Sequence, residues 1–165
     1  MDNKFNFTGI KADYYPDCLH NKYTETYYVD GLKHRIDGPA YILWYLDGTM
    51  HREHFYVKDH LHRTDGPALT VYRESGHIFS ESYYIHDMFH REDGPAYIEY
   101  YNYTKQPSYI AYYSNNKMHN LSGPALITYN ENRSIWSKHY YINGECIKVK
   151  SLQEFKKIVK LLMFK

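Results

Sequence analysis

The sequence predicts an all-β protein: an elongated antiparallel β-sheet built as a repeat array of about 28-residue units, with a C-terminal helical cap. The first observation behind this prediction is a seven-residue pattern, His-Arg-x-Asp-Gly-Pro-Ala. It occurs three times and returns in a fourth, partly altered copy, at offsets of 28, 28 and 29 residues. Periods of this size indicate an array of one supersecondary unit. The second is the count of 21 tyrosines, since tyrosine favours strands with half-buried surfaces. The third is that helical periodicity is confined to the C-terminal end.

Composition and charge narrow the class of protein. At 165 residues the chain is long enough for one hydrophobic core. With 20 basic and 19 acidic residues it has no bulk charge to attract nucleic acid or an anionic membrane, so we expect no nucleic-acid partner. Cys18 and Cys146 do not make a disulfide framework, which favours reduced thiols. Because the sequence shows no signal peptide and no run of about 18 apolar residues, we expect a cytoplasmic protein.

Residues 1–26 are predicted to form an N-terminal cap. Tyr14, Tyr15 and Pro16 echo the aromatic pair of the later units, but one residue fewer separates the pair from the following histidine. Proline cannot donate to a strand ladder, so Pro16 is typical of an edge strand that is protected against further pairing. Atypical terminal copies are expected in repeat arrays.

An aromatic pair and a two-residue turn set the register of the repeat array, which is predicted over residues 27–144. The pairs recur at offsets of 28, 28, 29 and 28 residues: Tyr27-Tyr28, Phe55-Tyr56, Tyr83-Tyr84, Tyr112-Tyr113 and Tyr140-Tyr141. Each pair precedes residues that tolerate the positive φ of a type I′ hairpin turn, such as Asp30-Gly31. Each unit is expected to contain two longer antiparallel strands and one short strand. The predicted units are residues 27–54, 55–82, 83–111 and 112–139, with a partial unit at 140–144.

The strand after the Gly-Pro corner alternates between two columns of residues. The little-varied column, which begins with Ala40, Ile42 and Trp44, is predicted to face inward. The intervening positions vary freely and are predicted to face outward. Tyrosine is enriched at binding hot spots, so four outward tyrosines form a candidate binding surface: Tyr41, Tyr45, Tyr97 and Tyr101. The alternative is that these residues pack under loops or under the helix.

Residues 145–165 are predicted to form a capping segment that contains the helix. Ser151 and Glu154 make a capping-box signature at its start. Apolar residues then recur at helical spacing opposite a lysine face: Leu152, Phe155, Ile158, Val159 and Leu162 against Lys156, Lys157, Lys160 and Lys165. The apolar side is expected to cover the last rung of the array. The alternative is that the lysine face binds a membrane or a calmodulin-type partner.

These motifs resemble the MORN repeat, whose units are strand hairpins stacked into one long sheet. The shared element is an aromatic strand, an Asn/Asp-Gly turn and a following histidine, as in Tyr28-Val29-Asp30-Gly31-Leu32-Lys33-His34. The chain departs from that family in its longer period and in its Arg-x-Asp-Gly-Pro-Ala segment. The fuller motif is similar to repeats in uncharacterised proteins of large DNA viruses and phages, and it covers residues 27–144. The resemblance implies a viral protein of the host cytoplasm, a scaffold or membrane-proximal tether, and no catalytic residues.

Three Arg/Asp pairs are the first candidate sites: Arg35 with Asp37, Arg63 with Asp65, and Arg91 with Asp93. A spacing of two residues places both side chains on one side of an extended chain. In the fourth copy both partners are replaced together, as Asn120 and Ser122. Concerted loss is what an ion pair predicts, because a lone survivor would be an uncompensated charge. We predict structural ion pairs that pin the Gly-Pro corner; the alternative is an exposed anion site.

A column of four histidines recurs with the motif: His34, His62, His90 and His119. Two or three strands per unit would put successive histidines about 10–14 Å apart, whereas one metal ion needs ring nitrogens at about 2.0–2.1 Å. Each imidazole is therefore predicted to bond a turn carbonyl or a neighbouring tyrosine, and no metal or other cofactor is expected. The alternative is adventitious metal binding by a local pair, either His60 with His62 or His51 with His54.

A further recurring column, Glu25, Glu53 and Glu81, is predicted to be solvated and to face basic residues on a neighbouring strand. Paired catalytic carboxylates need a cleft between them, and the motif predicts none. The sequence also lacks the nucleophile-elbow, phosphate-loop, dinucleotide and zinc-protease motifs. We therefore expect a non-enzymatic repeat scaffold for protein–protein interaction or assembly, with a protein partner. The alternatives are a membrane-associated tether and a small-ligand sequestering protein.

Overall fold

The computed structural model describes residues 7–102 and 104–163, and of residues 18–20 only the backbone. Within these residues the chain consists of antiparallel strands and a C-terminal helix, so the predicted all-β fold with a C-terminal helix is confirmed. The chain divides into two compact parts: the N-terminal part ends at Asp87 and the C-terminal part begins at Met88. The division falls in the turn after the third aromatic pair, and each part is described by itself.

The described residues of the N-terminal part form strands β1 (Gly9–Tyr15), β2 (Cys18–Val29), β3 (Leu32–Lys33), β4 (Tyr41–Trp44), β5 (Met50–His54), β6 (Tyr56–Val57), β7 (His60–Leu61), β8 (Leu69–Tyr72), β9 (Ile78–Ser82) and β10 (Tyr84–Ile85). The longer strands β1, β2, β4, β5, β8 and β9 are neighbours in that order and pair antiparallel. Off this path, β3 pairs with β2 and β6 pairs with β7. The predicted N-terminal cap is thus largely a strand pair, and Pro16 lies in the turn between β1 and β2 rather than in a strand.

The described residues of the C-terminal part form strands β11 (Met88–Phe89), β12 (Tyr97–Tyr100), β13 (Pro107–Ala111), β14 (Tyr113–Ser114), β15 (Lys117–Met118), β16 (Leu126–Tyr129), β17 (Ile135–Ile142) and β18 (Glu145–Ile147), followed by helix α1 (Leu152–Met163). Strands β12, β13, β16, β17 and β18 are neighbours in that order and pair antiparallel. Strands β14 and β15 form a separate hairpin.

The second and fourth motif copies each contain two short strands, where the sequence analysis expected one. Phe55 separates the long strand from the short ones, because its N–H donates to the carbonyl of Ala68 at 2.7 Å before the chain enters the β6–β7 hairpin. Positive φ at both Lys58 (51°) and Asp59 (65°) closes this hairpin in the manner of a type I′ turn. The β14–β15 hairpin is closed in the same way by Asn115 and Asn116.

The alanine of the motif joins the long strand to the aromatic pair. It is 0% exposed in all four copies, at Ala40, Ala68, Ala96 and Ala125. The Ala40 N–H donates to the carbonyl of His54 at 2.9 Å, and the Ala40 carbonyl accepts from the N–H of Tyr27 at 2.8 Å. Both backbone groups of this buried residue are therefore satisfied, as burial requires.

The strand register corrects two predictions about the faces of the sheet. Ile42 stands opposite Glu25 on β2 and Glu53 on β5, so the glutamate column lies on the face predicted to be inward. Glu25 is 8% exposed and therefore is not solvated. Leu43, on the face predicted to be outward, is 9% exposed, the same as Ile42. The two faces of β4 are thus buried to the same extent.

Both faces are covered because the first and second members of the aromatic pairs fold onto different faces. Tyr27, a first member, donates its hydroxyl to Oε1 of Glu25 at 2.5 Å. Tyr56, a second member, stacks on His54 with 5.8 Å between the ring centroids. His54 stands opposite Tyr41 in the register, so Tyr56 covers the face that carries Tyr41. Alternation within a strand does not reveal these covering groups, since they come from another segment.

Helix α1 packs against the last aromatic pair. Phe155 is 0% exposed, and its ring centroid lies 4.7 Å from that of Tyr140. The predicted capping residues are engaged: the Glu154 N–H donates to Oγ of Ser151 at 3.2 Å, and Oε2 of Glu154 accepts from the Lys150 N–H at 2.8 Å.

The packed face of α1 is narrower than its periodicity predicts. Its buried residues are Phe155 and Val159, whereas Leu152 and Leu162 are 38% and 51% exposed. No helix among the described residues has the length and apolar character needed to cross a membrane.

Candidate functional site

The three predicted Arg/Asp pairs are salt bridges at the Gly-Pro corner. The Nε of the arginine donates to Oδ1 of the aspartate two residues later, at 2.8, 2.7 and 2.7 Å in Arg35–Asp37, Arg63–Asp65 and Arg91–Asp93. These hydrogen bonds lower the pKa of each aspartate. The aspartate side chains are 77–81% exposed and the arginine side chains 24–27% exposed. The arginine side chain is therefore the more buried member of each pair. Because the aspartate is exposed, solvent screens the attraction between the two charges.

The guanidinium group is held from three directions. In the second copy, Nη1 of Arg63 donates to the carbonyl of Pro67 at 3.4 Å, and Cζ lies 3.9 Å from the ring centroid of Phe55. The fourth copy satisfies the same corner without a charge: Nδ2 of Asn120 donates to the carbonyl of Pro124 at 2.9 Å. Because Nε and Nη1 are engaged within the corner and the guanidinium packs on Phe55, the arginine has the geometry of a structural clamp rather than of an exposed anion site.

Three of the four predicted column histidines accept a hydrogen bond from the next copy. Nδ1 of His34, His90 and His119 accepts the N–H of Lys58, Asn115 and Asn143, at 3.3, 3.3 and 3.1 Å. The bonded groups are backbone N–H groups at the first turn position, not the predicted carbonyl or tyrosine. In each of these hydrogen bonds the Nδ1 atom of the imidazole is the acceptor.

His62 is the exception in this column. Its Nδ1 is buried and has no hydrogen-bond partner among the described residues, and its ring lies 4.3 Å from the ring of His86. His60 lies nearby and bonds Oδ2 of Asp87 through Nδ1 at 2.6 Å. Among the described residues, no group of three or more His, Cys, Asp and Glu side chains could hold a metal ion.

A second link between successive copies was not predicted from the sequence. Asp59, at the second turn position, donates its N–H to the carbonyl of Lys33 at 2.9 Å, and its Oδ1 accepts the N–H of Lys33 at 2.7 Å. The same two-point link joins Asp87 to Leu61 and Asn116 to Phe89. The available signal was that this position is Asp or Asn in the internal copies, whereas the first and last pairs carry glycine.

The four tyrosines of the predicted binding surface belong to the packed sheet. Tyr45 and Tyr101 donate their hydroxyls to the carbonyls of Tyr72 and Tyr129, on later strands. Tyr41 packs edge-on to His54, at 5.1 Å between centroids, and Tyr97 packs edge-on to Tyr109 at 5.7 Å. All four are half-buried. Their geometry is that of the alternative interpretation, packing under neighbouring segments, rather than that of free aromatic anchors.

An open strand edge is the clearest interaction surface in the C-terminal part. Residues 135–139 of β17 pair with β16, and no other strand among the described residues of this part pairs with that stretch. The corresponding strand of the preceding copy, β13, is paired on both edges, by β12 and β16. Two apolar side chains on the open stretch, Ile135 and Trp136, are 51% and 75% exposed.

The helix does not close this edge. Its buried residue Phe155 contacts Tyr140, at the far end of β17 from Trp136. The expected cap therefore covers the aromatic end of the strand and leaves the stretch at residues 135–139 unpaired on one side. The sequence contains a signal for this arrangement, because the fifth copy stops after its turn and lacks the Gly-Pro-Ala strand that would fill the edge.

Comparison with known proteins adds no relative: no family model, no curated protein and no solved structure matches the chain. The resemblance to MORN repeats therefore stays a prediction. The fold and the open edge define the chain only as an all-β protein with a C-terminal helix and an unpaired, aromatic-flanked strand edge.

Proposed function

We propose that the protein is a non-enzymatic, cytoplasmic repeat scaffold, of viral origin as the motif suggests, that binds a partner protein by strand addition to β17. The observation that carries the proposal is the open edge at residues 135–139, which includes Trp136 at 75% exposure. An exposed strand edge is a template for pairing, and tryptophan is among the residues most enriched at binding hot spots. The free, exposed Cys146 is in keeping with a reducing compartment.

The main-chain groups available to a partner follow from the existing ladder. The carbonyl of His139 accepts the N–H of Ala125 at 2.9 Å, so this residue faces β16. Neighbouring residues of a strand direct their N–H and C=O groups to opposite edges. Lys138 therefore presents its N–H and carbonyl to the open side, and a partner strand would bond there.

The fold itself indicates the kind of segment that fits. One copy earlier, the matching edge of β13 receives β16, with Tyr109 opposite Thr128, Ile110 opposite Ile127, and Ala111 opposite Leu126. On β17 the corresponding positions are Ser137, Lys138 and His139. The partner we propose is an extended protein segment that begins with a small residue, alternates like β16, and carries an acidic side chain opposite Lys138.

The test uses a synthetic peptide with the sequence of residues 123–130, in which the position of Ile127 is replaced by glutamate. Titration of the peptide into the full-length protein should produce a saturable change in tryptophan fluorescence. This change should be lost in Trp136→Phe, because Trp136 is the tryptophan on the open edge. Lys138→Pro removes the outward N–H and should abolish binding, whereas Lys138→Ala keeps that N–H and should retain most of it.

Two results would overturn the proposal. One is that the wild-type protein does not bind the peptide while its fold is intact. The other is that Lys138→Pro binds as well as wild type, which would show that pairing through the edge is not involved. Co-sedimentation with anionic liposomes, if strong and independent of Lys138→Pro, would favour the membrane tether instead.

A further inference from the structure

A cleft of about 500 Å³ lies in the C-terminal part, beside the turn that leads into β17. Two loops form it: the loop after β12, which contains the one extra residue of the third copy, and the turn between β16 and β17. Its lining residues are Thr104, Lys105, Gln106, Pro107, Tyr129 and Arg133. The volume is within the range of about 300–1,000 Å³ that is usual for small-molecule sites.

Arg133 occupies a backbone position that is glycine in the corresponding turns of the first two copies. Its φ is 70°, and the matching residues of the first two copies are Gly48 at 84° and Gly76 at 77°. The turns share a backbone bond: Arg133 N–H donates to the carbonyl of Asn130 at 2.9 Å, as Gly48 N–H does to Tyr45 at 3.0 Å. This left-handed conformation costs a non-glycine residue about 1–2 kcal/mol. The turn alone therefore favours glycine, and the contacts of the arginine side chain lie outside the turn, on the loop after β12.

That side chain is directed at the cleft by the other loop. Nε of Arg133 donates to Oε1 of Gln106 at 2.9 Å. The Gln106 N–H in turn donates to Oγ1 of Thr104 at 3.2 Å, which shapes the loop. With Nε engaged, the terminal amino groups of the guanidinium carry the donors that suit a phosphate or carboxylate.

The lining combines two cations with a flat apolar wall. Lys105 and Arg133 are positive, and none of the six lining residues is acidic. Pro107 and Tyr129 supply apolar surface, and Tyr129 is half-buried, so that burial raises the pKa of its phenol. An anion would meet Lys105 and Arg133, and a planar ring would lie against Tyr129 and Pro107.

We propose that this cleft binds a small organic phosphate that carries a planar ring, the chemistry of a nucleoside monophosphate. The inference is independent of strand addition at β17, because it rests on other residues and on a different class of ligand. It assigns Arg133 the phosphate contact, Gln106 the positioning of Arg133, and Tyr129 the ring contact.

The experiment is isothermal titration calorimetry of the full-length protein with AMP, adenosine, ribose 5-phosphate and inorganic phosphate. AMP should bind most tightly, and raising the salt concentration should weaken it. Arg133→Gly restores the residue of the corresponding turns, so it should keep or raise the melting temperature while weakening AMP binding about tenfold or more.

A matched control places an arginine at the same backbone position of another turn. Gly76→Arg lacks the counterparts of Lys105 and Gln106, so it should leave AMP binding unchanged and create no second site. The proposal is overturned if wild type fails to bind AMP, if Arg133→Gly binds it as tightly as wild type, or if inorganic phosphate binds as tightly as AMP. The last result would remove the planar ring from the assignment.

Discussion

A Cβ on Gly66 would lie 2.9 Å from Cζ of Arg63, so a side chain at this position requires the guanidinium to move. The same relationship holds between Gly38 and Arg35, again at 2.9 Å. In the fourth copy, where Asn120 replaces the arginine, a Cβ on Gly123 meets nothing within 4 Å. In the copies that keep the arginine, the guanidinium thus folds directly over the glycine of the motif, and the two residues form one structural feature.

This relationship predicts opposite outcomes for two otherwise identical substitutions. Gly66→Ala should destabilise the protein by about 1–3 kcal/mol, the usual cost of overpacking, since Arg63 is held by Asp65, Pro67 and Phe55. Gly123→Ala should be close to neutral. Urea unfolding of both variants measures the difference. Equal effects would show that Arg63 moves aside and that the close approach does not constrain the sequence.

The second prediction concerns coupling within the corner. Arg63→Ala and Asp65→Ala should each destabilise more than the double change of Arg63 to Asn and Asp65 to Ser, because the fourth copy shows that this pair can satisfy the corner. There Asn120 bonds both the carbonyl of Pro124 and the N–H of Ser122. Denaturant unfolding of these variants, together with the single variants Arg63→Asn and Asp65→Ser that complete the double-mutant cycle, is the measurement. A coupling below about 0.3–0.5 kcal/mol, the usual additivity error, would contradict the interpretation.

The third prediction separates the packed face of helix α1 from its exposed face. Phe155→Ala removes a side chain that is 0% exposed against Tyr140 and should cost about 3–5 kcal/mol. Leu161→Ala, on the same helix but 70% exposed, should have little effect. Thermal unfolding compares the two.

Truncation before Ser151 should in addition cause self-association, measured by sedimentation. A truncated chain that stays monomeric with an unchanged melting temperature would show that the helix is not a cap.

The fourth prediction is a loss of stability at mildly acidic pH. Burial, together with the positive charges of Arg52 and Lys33, lowers the pKa of His54 from 6.5 to about 4. Between pH 6.5 and about pH 4, His54 is therefore protonated in the unfolded chain but not in the folded chain. The contribution of His54 to stability is complete above pH 6.5 and is lost as the pH falls towards 4.

Replacement of His54 by glutamine provides the control, since glutamine does not titrate. The difference in unfolding free energy between wild type and His54→Gln should shrink as the pH is lowered from 7 to 4. The pKa values of His51 and His62 are also lowered by burial, so part of the pH dependence should persist in the variant. A wild-type stability that falls no faster than that of the variant would contradict the prediction.

The sequence by itself determined the fold class and the places where the chain turns. Hairpin turns at Lys58-Asp59 and Asn115-Asn116 are local events that depend on which residues tolerate positive φ. The Arg/Asp spacing is equally local, because the two residues are only two positions apart, although the chain between them is bent rather than extended as predicted. The start of α1 at Ser151 and Glu154 belongs to the same class.

Only the tertiary structure decided which surfaces are covered. Alternation predicted an outward face for Tyr41 and Leu43 and a solvated glutamate column, yet Leu43 is 9% and Glu25 is 8% exposed. Their cover is supplied by residues from the aromatic pairs. Tyr27 bonds Glu25 from two residues further along β2. Tyr56, just after β5, covers the face that carries Tyr41. The open edge of β17 and the cleft beside Arg133 have the same origin, since each depends on segments far apart in sequence. Periodicity records how one strand alternates, and burial depends on what another segment places over it.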